Sequence, residues 1–319
     1  MIQKKIVTYR DADGIETTLS YERLILATGS QTRRPPITGL AQYAFDIDQL
    51  DSAQVFEQHL NSLVERPSTP GRNTVVVCGG GFTGIELATE LPARLRARFG
   101  DDTKTKVIVV ERGPVLGGRY SEALRNTIDD ASRELGVEWR LNSEIAAIDA
   151  GGVTLKDGER IAASTVVWTA GVEANTLGQQ IDAERDLQGR LKVADSLQVP
   201  AHPEVYATGD MAYARTDELG NTALMTCQHA IQLGKFAGHN AAASLLNIAP
   251  LPYRQVNYVT CLDLGGWGAV YTEGWEQAVK SVRGEAKKIK IAITNALIYP
   301  PAADRAVAFA AADPLAKFV

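Results

Sequence analysis

The chain has 319 residues, 45% of them apolar, and a formal charge of −5. That length suits about two domains with ordinary cores and needs no disulfide or metal staple. The mild acidic balance lacks the basic stripe of a nucleic-acid binder, and no uncharged apolar run is long enough for a spanning helix. The three cysteines, Cys78, Cys227 and Cys261, make no CxxC, so no metal site or vicinal dithiol is expected and a reducing compartment is the default. The segment Met1-Ile-Gln-Lys-Lys has no apolar signal-peptide core. Glycine, at 28 residues, gathers in short clusters.

In chain order, residues 6–9 and 15–19 flank the turn Asp11-Ala12-Asp13-Gly14 as a hairpin, followed by a strand over 24–26 that runs into Ala27-Thr28-Gly29. Linker signals at 33–36 and 65–71 bracket a helical stretch over 49–63. Val75-Val76-Val77 then leads into Cys78-Gly79-Gly80-Gly81-Phe82-Thr83-Gly84, and Ile85, Ala88, Leu91 and Leu95 follow at near-helical spacing: strand, tight turn, helix. The stretch 92–96, opening on Pro92, reads as an insertion that lengthens the loop before Gly100. A strand over 106–110 closes on Glu111. A helix over 121–135 stops at Gly136, and a strand over 137–141 follows it. Residues 144–160 alternate around Gly151-Gly152 and Asp157-Gly158 as a small antiparallel meander, and a buried strand over 165–168 enters Thr169-Ala170-Gly171. A strand over 191–193, the run 204–207 ending in Thr208-Gly209-Asp210, and a long helix over 226–246 come next. The tail holds a strand over 257–264, the turn Gly265-Gly266-Trp267-Gly268, a strand to 271 and basic or alanine-rich helices beyond Gly284.

The order "meander, apolar strand, small-residue turn ending in glycine" occurs twice, closing at Gly29 and at Gly171. If the copies are equivalent, roughly 64 residues of a dinucleotide-binding unit are expected before the first one.

Gly79, Gly81 and Gly84 form G-x-G-x-x-G between strand and helix. The first glycine permits the turn, the second lets backbone approach a pyrophosphate, and the third allows close helix packing, with the phosphates on the helix N-terminus. Glu111, at the second strand end, offers two acceptors to the ribose hydroxyls and like charge to a 2′-phosphate, so NADH is favoured over NADPH. Arg112 beside it reads either as a phosphate partner or as a solvated charge. Glu86, on the first turn of the helix, faces the nicotinamide side in this reading, or serves only the helix's positive end. Ala170 and Gly171 stand at the carboxyl edge of the sheet, where a ring could stack close to backbone. Gly209 and Asp210 end another strand, and Asp210 could accept bonds from a polyol such as the ribitol of a flavin. No Ser-His-Asp order, carboxylate pair or metal spacing stands out, so the chemistry is expected in cofactors.

The blocks 21–30, 77–87 and 205–210 together resemble the FAD-dependent pyridine nucleotide oxidoreductases. The helix segment Cys227-Gln228-His229-Ala230-Ile231-Gln232-Leu233-Gly234 and the tail segment Ala296-Leu297-Ile298-Tyr299-Pro300-Pro301 are similar to those of the type II, non-proton-pumping NADH:quinone oxidoreductases. The resemblance implies an α/β fold of two Rossmann-like dinucleotide-binding domains, the FAD domain incomplete at its N-terminal side, plus an α+β tail. The corresponding ranges are 1–48 and 173–249 for the FAD domain, 72–172 for the NADH domain and 250–319 for the tail. It also implies FAD between Ala27, Thr28, Gly29 and Gly209-Asp210, NADH on the glycine turn, and hydride transfer to flavin. Electrons then pass to a quinone near Gln228 and Gln232. C-terminal helices on a membrane surface are part of the same implication, with Lys287, Lys288 and Lys290 beside Ile289, Ile291 and Ile293, as is a peripheral place on the cytoplasmic face or in the cytoplasm. A homodimer is left open.

The sequence departs from that pattern in lacking the first glycine fingerprint, for which weak FAD retention by this chain is expected, and in carrying Cys227 where alanine is commoner. A redox-active cysteine pair of the related disulfide reductases would fall in the same missing segment. Two rival readings stay open: a flavin reductase serving another acceptor such as an iron–sulfur protein, and a non-catalytic NADH-binding module.

Overall fold

The computed structural model describes residues 5–316. The chain divides into two compact units: Thr32–Gly171 with Asn257–Leu297, and Met1–Gln31 with Val172–Val256 and Ile298–Val319. Residues 250–319, read from sequence as one tail, thus contribute to both units.

The first unit is built on four parallel strands in the order Thr165–Trp168, Thr74–Cys78, Lys106–Val110, Val137–Arg140. A central parallel strand is covered on both faces, and successive side chains must serve opposite sides. Val75 and Val77 pack with Leu60, Leu63, Leu91 and Leu95 of the helices on one face, while Val76 and Cys78 meet Ile145, Ile148, Val153 and Leu155 of the meander on the other. The meander has three antiparallel strands, Ile145–Asp149, Gly152–Leu155 and Arg160–Ala162. The helix Glu122–Leu135 is capped by the Ser121 hydroxyl, which accepts from Leu124 N–H at 3.2 Å, and ends at left-handed Gly136.

The stretch 92–96 is not an inserted loop. The helix Phe82–Phe99 runs through Pro92 and stops at Gly100. A mid-helix proline costs about 3 kcal/mol, but Leu91, Pro92 and Leu95 are all buried, and two buried leucines at about 1.5–3 kcal/mol each offset that cost.

Residues 257–297 add an antiparallel sheet, Val259–Asp263, Ala269–Glu273 and Ala278–Val282, and the helix Arg283–Ala292. Leu262, Leu264, Trp267 and Val270 join Ile85, Leu124 and Ile128 in one core, so this sheet is part of the unit rather than an appendage.

The second unit holds the expected hairpin, Ile6–Arg10 against Glu16–Ser20. Its sheet has the order Gln198–Val199, His202–Ala207, Leu24–Leu26, the last two parallel. The long helix Cys227–Leu245 packs Leu233, Phe236 and Ala237 on Tyr206 and Tyr253. Asn240, fully buried on that helix, donates to Ser196 O and Leu251 O and accepts from Leu251 N–H, which ties the chain around 251 to the helix. Among the described residues no helix is long and apolar enough to cross a membrane.

Candidate functional site

The glycine turn shows why its three glycines differ. Gly79 has φ +114° and a Cβ there would lie 2.9 Å from the Ala170 backbone; at Gly84 a Cβ would lie 1.9 Å from Gly79 O. Both are demanded by the fold. Gly81 has φ −77°, open to any residue, and a Cβ on it would meet nothing within 4 Å. Its lack of a side chain leaves the space beside this backbone open, as approach to a pyrophosphate would require. Thr169 locks the turn, its hydroxyl donating to Cys78 O at 3.1 Å and lying 3.2 Å from Gly79 O. Gly171 takes the left-handed φ of +84° beside Arg33. The turn, Thr169, Ala170 and Gly171 thus converge at the carboxyl edge of one sheet.

Glu111 reaches the same edge. Its Oε2 accepts from Gly80 N–H at 2.7 Å and its Oε1 from Gly113 N–H at 2.8 Å. Beneath Gly80 lies Trp139, whose ring would stand 2.7 Å from a Cβ there.

Glu86 Oε1 accepts from the Asp263 N–H at 2.9 Å and from Lys290 Nζ at 2.8 Å. Lys290 also donates to Cys261 O and sits over the Phe82 ring, 5.6 Å from its centre. Lys287 donates to both Asp263 oxygens, at 2.6 and 2.8 Å. Two of the three lysines read as facing a membrane are thus spent on ion pairs inside the unit, while exposed Lys288 pairs with Glu285. Burial pushes the Tyr120 phenol up, with Tyr258 and Glu86 adding to the effect. It also carries the Cys78 thiol up to about 12 and the Cys261 thiol to about 11, so both cysteines are inert packing groups.

In the other unit, Ala27, Gly29, Thr208, Gly209, Asp210, Met225, Thr226, Cys227, Ala230 and Gly234 line an open groove of about 460 Å³. Thr28 is exposed between the first two of these. Gly29 and Gly209 take left-handed φ values of +68° and +59°. Asp210 Oδ2 accepts from the Ser30 hydroxyl at 2.7 Å. The Thr208 hydroxyl is buried with no hydrogen-bond partner among the described residues, a cost usually met by a ligand or water. The N-terminus of the long helix, capped by Thr226, opens on the groove and offers its positive end. A polyol chain with an electron-accepting ring suits these groups. Gln228 is half-buried and Gln232 is 7% exposed, one turn apart on that helix. His229, fully buried between them, has its Nδ1 3.0 Å from Thr226 Oγ1, and burial, aided by the Arg190 charge, lowers it to about 4. It is neutral at ordinary pH. Among the described residues no His, Cys, Asp and Glu cluster could hold a metal ion.

Residues 1–234 match the model of the pyridine nucleotide-disulphide oxidoreductases. The chain belongs to that family. An NADH dehydrogenase-like protein of Mycobacterium tuberculosis is 44% identical over 317 residues, covering 97% of this chain and 79% of that protein. The demethylphylloquinone reductase of Synechocystis is 30% identical over 267 residues, 83% of this chain and 64% of the relative. Among solved structures, NDH2 of Plasmodium falciparum in complex with NADH superposes with a TM-score of 0.76 at 15% identity, covering 98% of this chain and 80% of that one; the likeness is of the fold. Membership in the pyridine nucleotide-disulphide oxidoreductases agrees with the expected α/β class and with an FAD- and NADH-dependent oxidoreductase.

Asp263, Lys290, Thr169 and Gly113 were not singled out by sequence as partners of the site. Only Thr169 had a local signal, the small-residue turn after a buried strand.

Proposed function

We propose that this chain oxidises NADH through FAD and hands the electrons to a quinone. The observation that carries the reading is Gly81, the one fingerprint glycine that neither its own φ nor its neighbours require. Gly81 and the N-terminus of the helix Phe82–Phe99 bind the pyrophosphate, Glu111 orients the adenosine ribose, and Ala170 and Gly171 leave room for the nicotinamide ring. Ala27, Thr28, Gly29, Gly209 and Asp210 bind FAD, with Asp210 accepting from the ribityl hydroxyls and Thr208 supplying its buried hydroxyl. Bound there, FAD would supply the two-electron chemistry between nicotinamide and acceptor. The long helix's positive end stabilises negative charge in the groove. Glu86 and Lys290, 2.8 Å apart, form a donor–acceptor pair able to hold or move a proton. Gln228 and Gln232 offer amides to quinone oxygens.

The names of relatives support the acceptor, and the exposed Val307 and Phe309 on the helix Arg305–Ala311 support a tail lying on a membrane surface. Anaerobic NADH oxidation by the purified chain, supplied with FAD, is measured with a menaquinone analogue and with ferredoxin. Quinone-dependent turnover is expected. Turnover with ferredoxin alone identifies a flavin reductase for iron–sulfur acceptors, and NADH binding without turnover identifies a nucleotide-binding module.

A further inference from the structure

We propose that Gly113 is a specificity-determining position, whose backbone N–H sets the Glu111 carboxylate to accept ribose hydroxyls and to reject a 2′-phosphate. The inference rests on the reading of Glu111 as the ribose acid.

An ionised carboxylate has about four acceptor sites and no donor. Backbone donors take two of them, Gly80 N–H at Oε2 and Gly113 N–H at Oε1. Each oxygen is thereby fixed and keeps one direction open, which matches two neighbouring hydroxyls, each with a proton to give. A phosphate at the 2′ position brings acceptors and like charge to the same place, and a carboxylate pinned at both oxygens cannot swing aside to relieve the clash.

Gly113 is built for this contact rather than for a turn. Its φ lies outside the left-handed region, so its backbone is open to any residue; a Cβ would instead sit 3.2 Å from Glu111 Oε1. The peptides on either side of the one that carries this N–H are both braced. Gly113 O accepts from Asn142 N–H at 3.0 Å, Glu111 O accepts from Ser143 N–H at 3.0 Å, and Asn142 holds φ +51° in that connection. The exposed Arg112 side chain lies within electrostatic reach of Glu144, whose carboxyl is held low chiefly by Lys156 and also by Arg112. The one guanidinium adjoining Glu111 in sequence is thus exposed and acts on Glu144 as well.

The test is the ratio of NADH to NADPH dissociation constants for the full chain, by calorimetric titration, with Gly113→Pro, Gly113→Ala and Glu111→Gln. Gly113→Pro removes the donor and should lower the preference for NADH about tenfold, the worth of one charge-assisted hydrogen bond. Gly113→Ala keeps the donor but crowds Oε1, and should lower it about threefold. Equal weakening of both dinucleotides, or an unchanged ratio in Gly113→Ala, overturns the proposal, and the alanine variant decides alone if the proline variant fails to fold. Glu111→Gln separates the two levels. A ratio unmoved by Glu111→Gln refutes the ribose-acid reading, whereas a ratio that moves there but not at Gly113 refutes only the present inference. Absence of NADH binding by the unsubstituted chain refutes both.

Discussion

The two turns assigned to nucleotides are made in different ways. The glycine turn of the Thr32–Gly171 unit is written almost wholly in one local stretch, 79–84, and leans on 169–171, Glu111 and Trp139 from the other strands and strand ends of one four-stranded parallel sheet. The groove of the other unit is assembled from three stretches, 27–30, 208–210 and 225–234, around a three-stranded sheet. In the locally encoded turn Gly79 and Gly84 each answer to a backbone neighbour, and Gly81 alone is left open. An assembled groove takes its shape from packing between remote elements, and its polar groups, Asp210 and Thr208, have less of their hydrogen bonding met within the chain.

The sharpest way to break that contrast lies inside the fingerprint. Gly84→Ala places a methyl 1.9 Å from Gly79 O, and overpacking of this severity costs about 3 kcal/mol or more. Thermal melting should fall by roughly 10 °C for a unit of this size, with NADH binding lost alongside. Gly81→Val meets no protein atom. It should cost less than about 1 kcal/mol as a poorer helix cap, yet weaken NADH by about a hundredfold by blocking the pyrophosphate approach. A Gly81→Val chain that binds NADH normally would remove the observation on which the functional reading stands.

In the assembled groove the expected effects are smaller. Asp210→Ala removes the acceptor proposed for the ribityl chain and frees the Ser30 hydroxyl. FAD affinity, followed by quenching of flavin fluorescence, should fall about tenfold, in line with one or two hydrogen bonds to a charged group. NADH affinity should not change. A parallel loss of NADH binding would show that the two turns are not separable as described.

How much was legible follows the same division. The turn that holds Gly79, Gly81 and Gly84 and the place of Glu111 after a strand could be read from sequence because that geometry is local. The strand Ala278–Val282 was not read, since its half-buried face carries Val279 and Ser281 and its exposed face ends on Val282, so the apolar residues do not alternate. Pro92 misled because a breaker was weighed without the burial of Leu91 and Leu95. The partners of Glu86 could not be read at all. Asp263 and Lys290 lie 177 and 204 residues further on, brought in by a sheet and the helix that follows it, whose packing on the glycine-turn helix has no motif.

The smallest expected effect is a pH response in each unit, and the four tryptophans make it separable. Trp139, Trp168, Trp267 and Trp275 all belong to the Thr32–Gly171 and Asn257–Leu297 unit, so their fluorescence reports that unit alone. His59 lies in the same unit, its Nε2 2.9 Å from Thr165 Oγ1 and its ring 4.4 Å from that of Phe45; burial first and Arg66 second lower it to about 4. His229 is the neutral buried counterpart in the other unit. For a histidine whose folded value is depressed, the unfolded chain takes up the proton first as pH falls below about 6.5, so stability is full above that pH and declines toward 4. Melting followed by tryptophan fluorescence should therefore drop by a few degrees between pH 6.5 and 5, a window above most carboxylate titration. His59→Gln, which keeps a neutral donor near Thr165, should flatten that drop. His229→Gln should leave the tryptophan-detected curve as it is and act only on the remaining signal in circular dichroism. If His229→Gln flattens the tryptophan curve instead, the units unfold as one body, and the independence of the two nucleotide turns in folding is wrong.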